Sequence, residues 1–299
     1  MNVLEVRNIE KSFGSKKVLN GVSFSVPENC VFGFIGRNGA GKTTTMRAVL
    51  GMLKLDCGEI DICGERVRYG GTPSSGCIGY LPDVPEFYGY MNAYEYLMLC
   101  GRIAGIDGGK LKTRCSELLS LVGLENEKHR IKGYSRGMKQ RLGIAQALIH
   151  RPKLLICDEP TSALDPVGRK EILQLICDVK EHASVVFSTH ILSDVEKVCT
   201  HVAFLEGGKT ILDGTIDQIR KIWNDTSLEL TLSNQSDSKR VIEHFSKCIE
   251  SNGKLIFPKA TDRECAQLMS FLGAQMIPVM RLERHEADLE DVFMEVIGE

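Results

Sequence analysis

The string Gly36-Arg37-Asn38-Gly39-Ala40-Gly41-Lys42-Thr43 has the spacing G-x-x-x-x-G-K-[ST]. Glycines at these places let backbone N–H groups close around an anion with no Cβ in the way. The Lys42 ammonium suits the outer phosphates of a nucleotide, and the Thr43 hydroxyl suits a Mg²⁺ ion. The flanks agree with that use. An apolar strand, Val31 to Ile35, precedes the loop, and a helical segment follows from about Lys42 to a stop at Gly51. A helix opening on the loop turns its positive end toward the phosphates. Gly36, Arg37, Asn38, Gly39, Ala40, Gly41, Lys42, Thr43 and Thr44 are therefore the candidate nucleotide-binding residues.

A second acidic site is read at Leu154-Leu155-Ile156-Cys157-Asp158-Glu159, a buried strand ending in two carboxylates. Ligands of open α/β sheets collect at the carboxyl ends of strands. There Asp158 can hold Mg²⁺, directly or through water, and Glu159 can polarise an attacking water. Two acids at a strand end are by themselves equally consistent with solvated surface; the phosphate loop in the same chain favours the site. Ser188-Thr189-His190 ends the next apolar strand. A lone histidine there is more often structural, but beside a γ-phosphate it can bridge phosphate and water.

The elements that must position these residues are legible in outline. Val22, Phe24 and Val26 alternate with Ser23 and Ser25, the period-two pattern of a half-buried antiparallel strand. From about Pro82 to His150 the pattern is mainly helical. Asn92 with Glu95 suits a capping box, with Leu97, Gly101 and Ala104 at helical spacing behind it. A second helix is expected from about Met138 to Ile149. Leu154–Asp158 and Val185–Thr189 read as buried parallel strands, and Asp165 with Pro166 as the start of a helix between them. His201 to Glu206, Gly207-Gly208 and Lys209 to Leu212 read as a hairpin. After about Gly214, short strands at Leu228–Leu232 and Leu255–Phe257 alternate with helical stretches near Val241 and Ala266.

Bulk properties narrow the function. The chain has 299 residues, 43% hydrophobic and 25% charged, with a formal net charge of -2, so there is no global pull toward nucleic acid or anionic lipid. No window approaches the roughly 18 consecutive apolar residues of a membrane span. The opening Met1-Asn2-Val3-Leu4-Glu5 shows no secretory pattern. Eleven cysteines include no C-x-x-C pair, and Cys30, Cys157 and Cys177 lie in apolar runs, as reduced core residues do.

The order of these features resembles the ABC ATPase family over about Val3 to Thr215. The phosphate loop is similar to its Walker A motif and Leu154–Glu159 to its Walker B motif. Tyr134-Ser135-Arg136-Gly137-Met138-Lys139-Gln140-Arg141 resembles the L-S-G-G-Q signature, Ser162-Ala163-Leu164-Asp165 the D-loop, and His190 the switch histidine. Phe13 stands where the family stacks an aromatic ring on adenine; core packing is the other reading of that residue. The resemblance implies that Glu159 and His190 are catalytic and that Thr43, Asp83 and Asp158 face the metal. It also implies that Ser135 and Gly137 cap the ATP of a second subunit. Two departures stand out. Tyr134, Arg136 and Met138 replace the usual Leu, Gly and Gln of the signature, a form similar to bacterial exporter ATPases of drug, bacteriocin and antibiotic-resistance systems. Asp83 stands where the family's Q-loop has glutamine.

The expected fold is α/β, a P-loop NTPase core with an antiparallel β subdomain and a helical subdomain at about 84–150. This nucleotide-binding domain spans 1–214, with a small C-terminal α+β appendage at 215–299. ATP and Mg²⁺ are the implied cofactors. The implied partners are a separate transmembrane permease subunit and a second ATPase subunit, as homodimer or heterodimer, with no nucleic acid. The chain would be cytoplasmic, peripheral on the inner face of the membrane through its partner. In the family the permease docks beside the Q-loop, here near Pro85, Phe87, Tyr88, Tyr90 and Tyr94; a helical-subdomain core is the alternative reading of these aromatics. Leu289-Glu290-Asp291-Val292-Phe293 is similar to a string that ends many exporter-type ATPases. Ribosome-acting members usually carry two ATPase domains and repair members long coiled coils, whereas this chain shows one phosphate loop and no sustained heptads. A non-catalytic regulatory subunit is disfavoured because Glu159 and His190 are both present.

Overall fold

The computed structural model describes residues 1–71, 76–222, 227–251, 253–258, 260–285, 289–290 and 292–293. The chain divides into two compact units, Met1–Ile216 and Asp217–Glu299.

The first unit opens on β1 (Asn2–Phe13), β2 (Lys16–Pro27) and β3 (Val31–Ile35), then α1 (Lys42–Val49), β4 (Cys57–Ile62), β5 (Glu65–Arg66) and β6 (Ile78–Leu81). Three helices follow, α2 (Ala93–Ile103), α3 (Gly108–Leu121) and α4 (Arg136–Ala147). The chain then alternates through β7 (Leu154–Asp158), α5 (Pro166–Val179), β8 (Ser184–Thr189) and α6 (Leu192–Val198) to β9 (His201–Glu206) and β10 (Lys209–Thr215).

Two sheets form. One is antiparallel, in the order β2-β1-β4-β5; the other runs β10-β9-β3-β8-β7-β6, parallel from β9 to β6 with β10 antiparallel on its edge. Strands β3, β7 and β8 are buried along their whole lengths, as the central strands of a sheet covered on both faces must be. One cover is the antiparallel sheet. Leu4, Ile9, Val22 and Phe24 share a core with Phe32, Phe34, Ile156 and Val186. The Phe24 ring lies 5.5 Å from that of Phe32 and 4.9 Å from that of Phe34, offset arrangements that add to simple burial. The period-two reading of β2 holds, with Val22, Phe24 and Val26 buried and Ser23 and Ser25 exposed.

Sequence and structure differ mostly at element ends. Helix α2 begins on the expected capping box, but Ala104 is its exposed C-cap and not part of the core face. Helix α4 starts at Arg136 and not at Met138, because the Ser135 hydroxyl accepts the Met138 N–H at 3.2 Å and caps the helix. Strand β10 runs on to Thr215. Of the aromatics near the Q-loop position, Phe87 is half-buried with its ring 5.1 Å edge-on from Tyr96, whereas Tyr88, Tyr90 and Tyr94 are exposed.

In the C-terminal region α7 (Ile216–Ile222) is followed by β11 (Ser227–Leu232), α8 (Ser238–His244), β12 (Ile249–Ser251), β13 (Lys254–Phe257), α9 (Asp262–Ala274) and β14 (Val279–His285). Its antiparallel sheet has the order β12-β13-β11-β14. Leu228, Leu230, Leu255 and Phe257 alternate inward against Val241, Leu268 and Leu272 of the two helices, so this unit has its own core. Of the Leu289–Phe293 string, Leu289, Val292 and Phe293 are buried, and Asp291 lies outside the described residues. Among the described residues no helix is long and apolar enough to cross a membrane.

Candidate active site

The topology brings the chemistry together. Strands β3, β8, β7 and β6 are neighbours and parallel, so the segments leaving their carboxyl ends emerge on one edge of the sheet. Those segments carry the phosphate loop, His190, Asp158 with Glu159, and Asp83, in that order across the sheet.

The loop between β3 and α1 is set by glycine. Gly41, the N-cap of α1, has φ of 112°, a backbone conformation that residues with a Cβ rarely adopt, so the turn requires glycine. No side chain caps α1 and its first turn holds no acid, which leaves the helix N-terminus open to an anion. The buried Lys42 ammonium folds back over the loop and donates to the Gly36 carbonyl at 2.6 Å. It also stands 3.2 Å from Glu159 Oε1. Thr43 is exposed and Thr44 half-buried. Arg37, Asn38 and Gly39 form the exposed rim of the loop, and Gly36 and Ala40 its buried base.

Glu159 sits at the centre. Its backbone takes a left-handed φ of 48°, an uncommon conformation for a residue with a Cβ. The position is held by its N–H, which donates to the Ser188 carbonyl at 3.1 Å and to Ser188 Oγ at 3.2 Å. Its second carboxylate oxygen lies 3.0 Å from His190 Nδ1. One carboxylate is therefore clamped between a lysine and a histidine from two other strand ends. Asp158, buried at the end of β7, accepts the Ser188 hydroxyl at 2.5 Å. The sequence assigns Ser188 no role; its only signal there is a hydroxyl near the end of an otherwise apolar strand.

The structure places the other expected site residues on β1, at the start of α4 and in the segment after β6. Phe13 is 51% exposed at the end of β1, with Lys11 Nζ 5.5 Å above its ring, so it is not a core residue. Ser135 caps α4, and Gly137 lies in that helix's first turn. Asp83 Oδ1 is 3.1 Å from Arg136 in the signature. Burial raises the Asp83 carboxyl above the usual carboxylate range, and Asp158 and Glu159 add to this, while Arg136 opposes it. A network absent from the sequence reading links the segments after β7 and β8. Buried Asp194 accepts from Thr161 Oγ1 at 2.9 Å and from Arg169 Nε at 2.6 Å. The cysteines are free among the described residues, and burial pushes the Cys30 thiol up to about 11, which suits inert core residues.

The model of the ABC transporter family matches residues 19–162, a span that includes the loop, Asp83, the signature and Glu159. The ABC transporter ATP-binding protein YxlF of Bacillus subtilis is 36% identical over 298 residues, covering 99% of each chain. The chain belongs to the ABC transporter ATP-binding family. The bacitracin transport ATP-binding protein BcrA of Bacillus licheniformis is 36% identical over 303 residues, covering 99% of this chain and 97% of its own. The solved structure of an ATP-binding subunit of an ABC transporter is 31% identical with a TM-score of 0.66, covering 74% of this chain and 93% of its own. This ABC ATPase thus has the P-loop NTPase fold and is an ATP-binding, ATP-hydrolysing transporter subunit.

Proposed function

We propose that this ABC ATPase hydrolyses ATP with Glu159 as the base for the attacking water. The energy of that cycle would be coupled to export through a separate membrane permease. The observation that carries the reading is the Glu159 carboxylate held 3.2 Å from Lys42 Nζ and 3.0 Å from His190 Nδ1. The N–H groups of Gly36 to Thr44 cradle the phosphates, and the exposed Phe13 ring stacks on adenine. A bound triphosphate offers Lys42 more negative charge than Glu159 does. Lys42 then turns to the outer phosphates, and Glu159 is released to accept a proton as water attacks the terminal phosphorus, whose bond to the bridging oxygen breaks so that ADP and inorganic phosphate leave. His190 holds that water and the phosphate together.

Thr43 and Asp158 are the residues that would hold Mg²⁺, which when bound would neutralise charge on the phosphate oxygens. The donor set fits. Asp158 is a buried carboxylate at the end of β7, and Thr43 offers an exposed hydroxyl in the first turn of α1. Mg²⁺ characteristically takes one or two protein oxygens and completes its shell with phosphate and water.

Ser135 and Gly137 act on the nucleotide of a second ATPase subunit, through a helix N-terminus that favours anions. ATP then bridges two chains, and hydrolysis removes the bridge. The permease docks in the groove of about 520 Å³ lined by Asp83, Pro85, Phe87, Lys132, Arg136 and Lys139. This places the chain in the cytoplasm at the inner face of the membrane. The signature form, the Leu289–Phe293 string and the bacitracin transport relative support the export branch.

Replacing Glu159 with Gln should leave ATP binding intact and lower turnover by roughly 10²- to 10⁴-fold, the usual worth of a general base. Equal rates for the two proteins would overturn the catalytic reading in favour of a regulatory subunit. Aspartate at both Phe87 and Tyr88 should uncouple transport; retained coupling would reject the docking groove.

A further inference from the structure

Two of the positions at which this chain departs from the family's pattern, one in each departing motif, touch each other. Where the family has a Q-loop glutamine there is Asp83, and where the signature has a side-chain-free glycine there is Arg136, 3.1 Å from Asp83 Oδ1. The same helix grips the same residue again one turn on. Gln140 is fully buried and its Nε2 donates to the Asp83 carbonyl at 2.8 Å. Arg136 and Gln140 are four apart, hence on one face of α4. Gly143 continues that face. A Cβ there would stand 2.4 Å from Leu81 Cδ1 and 3.5 Å from Pro85 Cβ, so the backbone of α4 lies directly on the chain to either side of Asp83.

We propose that Asp83 is a positioning residue for the signature serine. Its carboxylate and carbonyl pin one face of α4 and so set where Ser135 stands, and it is not a metal ligand. Ser135 immediately precedes Arg136 and is the cap of the gripped helix, accepting Met138 N–H on its hydroxyl and Lys139 N–H on its carbonyl. A carboxylate is one methylene shorter than a glutamine amide, and here it is matched by a guanidinium that supplies the missing reach. The pair is solvent-accessible, with 39% of the Arg136 and 45% of the Asp83 side chain exposed, so its worth lies in placement more than in global stability. The functional meaning of that placement rests on the reading that Ser135 serves a second subunit's nucleotide.

Amide exchange at Met138, Lys139 and Gln140 in the full-length, nucleotide-free chain tests the proposal. Asp83→Asn and Arg136→Gln should each speed exchange there roughly threefold to fivefold, the scale of an exposed ion pair. The double variant should be no faster than either, and Asp83→Glu should restore protection. The Mg²⁺ concentration for half-maximal ATP turnover should not move in Asp83→Asn. A raised Mg²⁺ requirement with unchanged exchange would make Asp83 a metal ligand and overturn the proposal, as would additive effects in the double variant. Exchange is read on the single chain, so it is independent of whether two chains associate. Loss of ATP-driven dimerisation in the parent protein would refute the two-subunit reading and leave the Asp83–Arg136 result standing.

Discussion

One hydroxyl supports both acids of the site. Ser188 donates to Asp158 at 2.5 Å and accepts the Glu159 N–H at 3.2 Å, holding Glu159 in its left-handed backbone. Ser188→Ala removes both bonds without touching nucleotide, and turnover should fall roughly 10- to 100-fold, as it does when second-sphere partners of ligands are lost. A steady-state assay with wild-type rates would show that Asp158 and Glu159 are placed without it. Lys42→Ala should weaken ATP binding by about 10- to 100-fold, since charge-assisted hydrogen bonds contribute about 1.5–3 kcal/mol; titration with a fluorescent ATP analogue reads this directly. The motif residues were legible because a phosphate-binding backbone demands glycines and a lysine at fixed spacing. The partners of those residues were not. Ser188 meets Asp158 across 30 positions through the pairing of β7 with β8, and Arg136 meets Asp83 across 53 through the packing of α4 on the chain after β6.

At the scale of elements, the buried strands and the caps were readable, and the missed features were those made by tertiary contact. Asn92 and Asp165 cap their helices as read, because a cap is a local hydrogen bond between near neighbours. The brace formed by Thr161, Arg169 and Asp194 is not local, and Asp194 reads in the sequence as one more helix-surface acid. Its fully buried carboxylate ties the segment after Glu159 to the helix after His190. Arg169→Ala would leave the buried Asp194 carboxyl without this partner and should cost about 3–5 kcal/mol of stability, visible as a lowered Tm of the first unit. An unchanged Tm would mean that the Arg169–Asp194 pair contributes nothing to stability. In the C-terminal unit, Glu264 closes the capping box of α9 with Thr261, and the Thr261 N–H, the Lys247 ammonium and the Thr261 hydroxyl lower its carboxyl from 4.5 to about 2. A depressed carboxyl stabilises the folded form above its unfolded value and loses that contribution as pH falls from about 4.5 toward 2. Glu264→Gln should therefore flatten the acid limb of α9's exchange protection over that window, and an identical limb in the variant would refute the assignment.

At the scale of the whole molecule, the chain is two compact units, and the chemistry described lies in the first. The sequence placed the boundary at Gly214. The division falls after Ile216 because β10 continues to Thr215 beside β9, and a hairpin arm gives no turn signal before it ends. That first unit presents two helix N-termini suited to phosphate, those of α1 and α4, the first beside Lys42 and the second behind Ser135. One nucleotide bound in the Lys42 loop satisfies the first. On the two-subunit cycle proposed above, the second would be satisfied by the nucleotide of another ATPase subunit, in a homodimer or with a related chain. The most direct test is sedimentation of the Glu159→Gln protein, alone and with its co-purifying membrane partner, in Mg²⁺-ATP and in Mg²⁺-ADP. Association of two ATPase chains in ATP and their separation in ADP is the expected result. A single ATPase chain in every nucleotide state, with and without the partner, would contradict it.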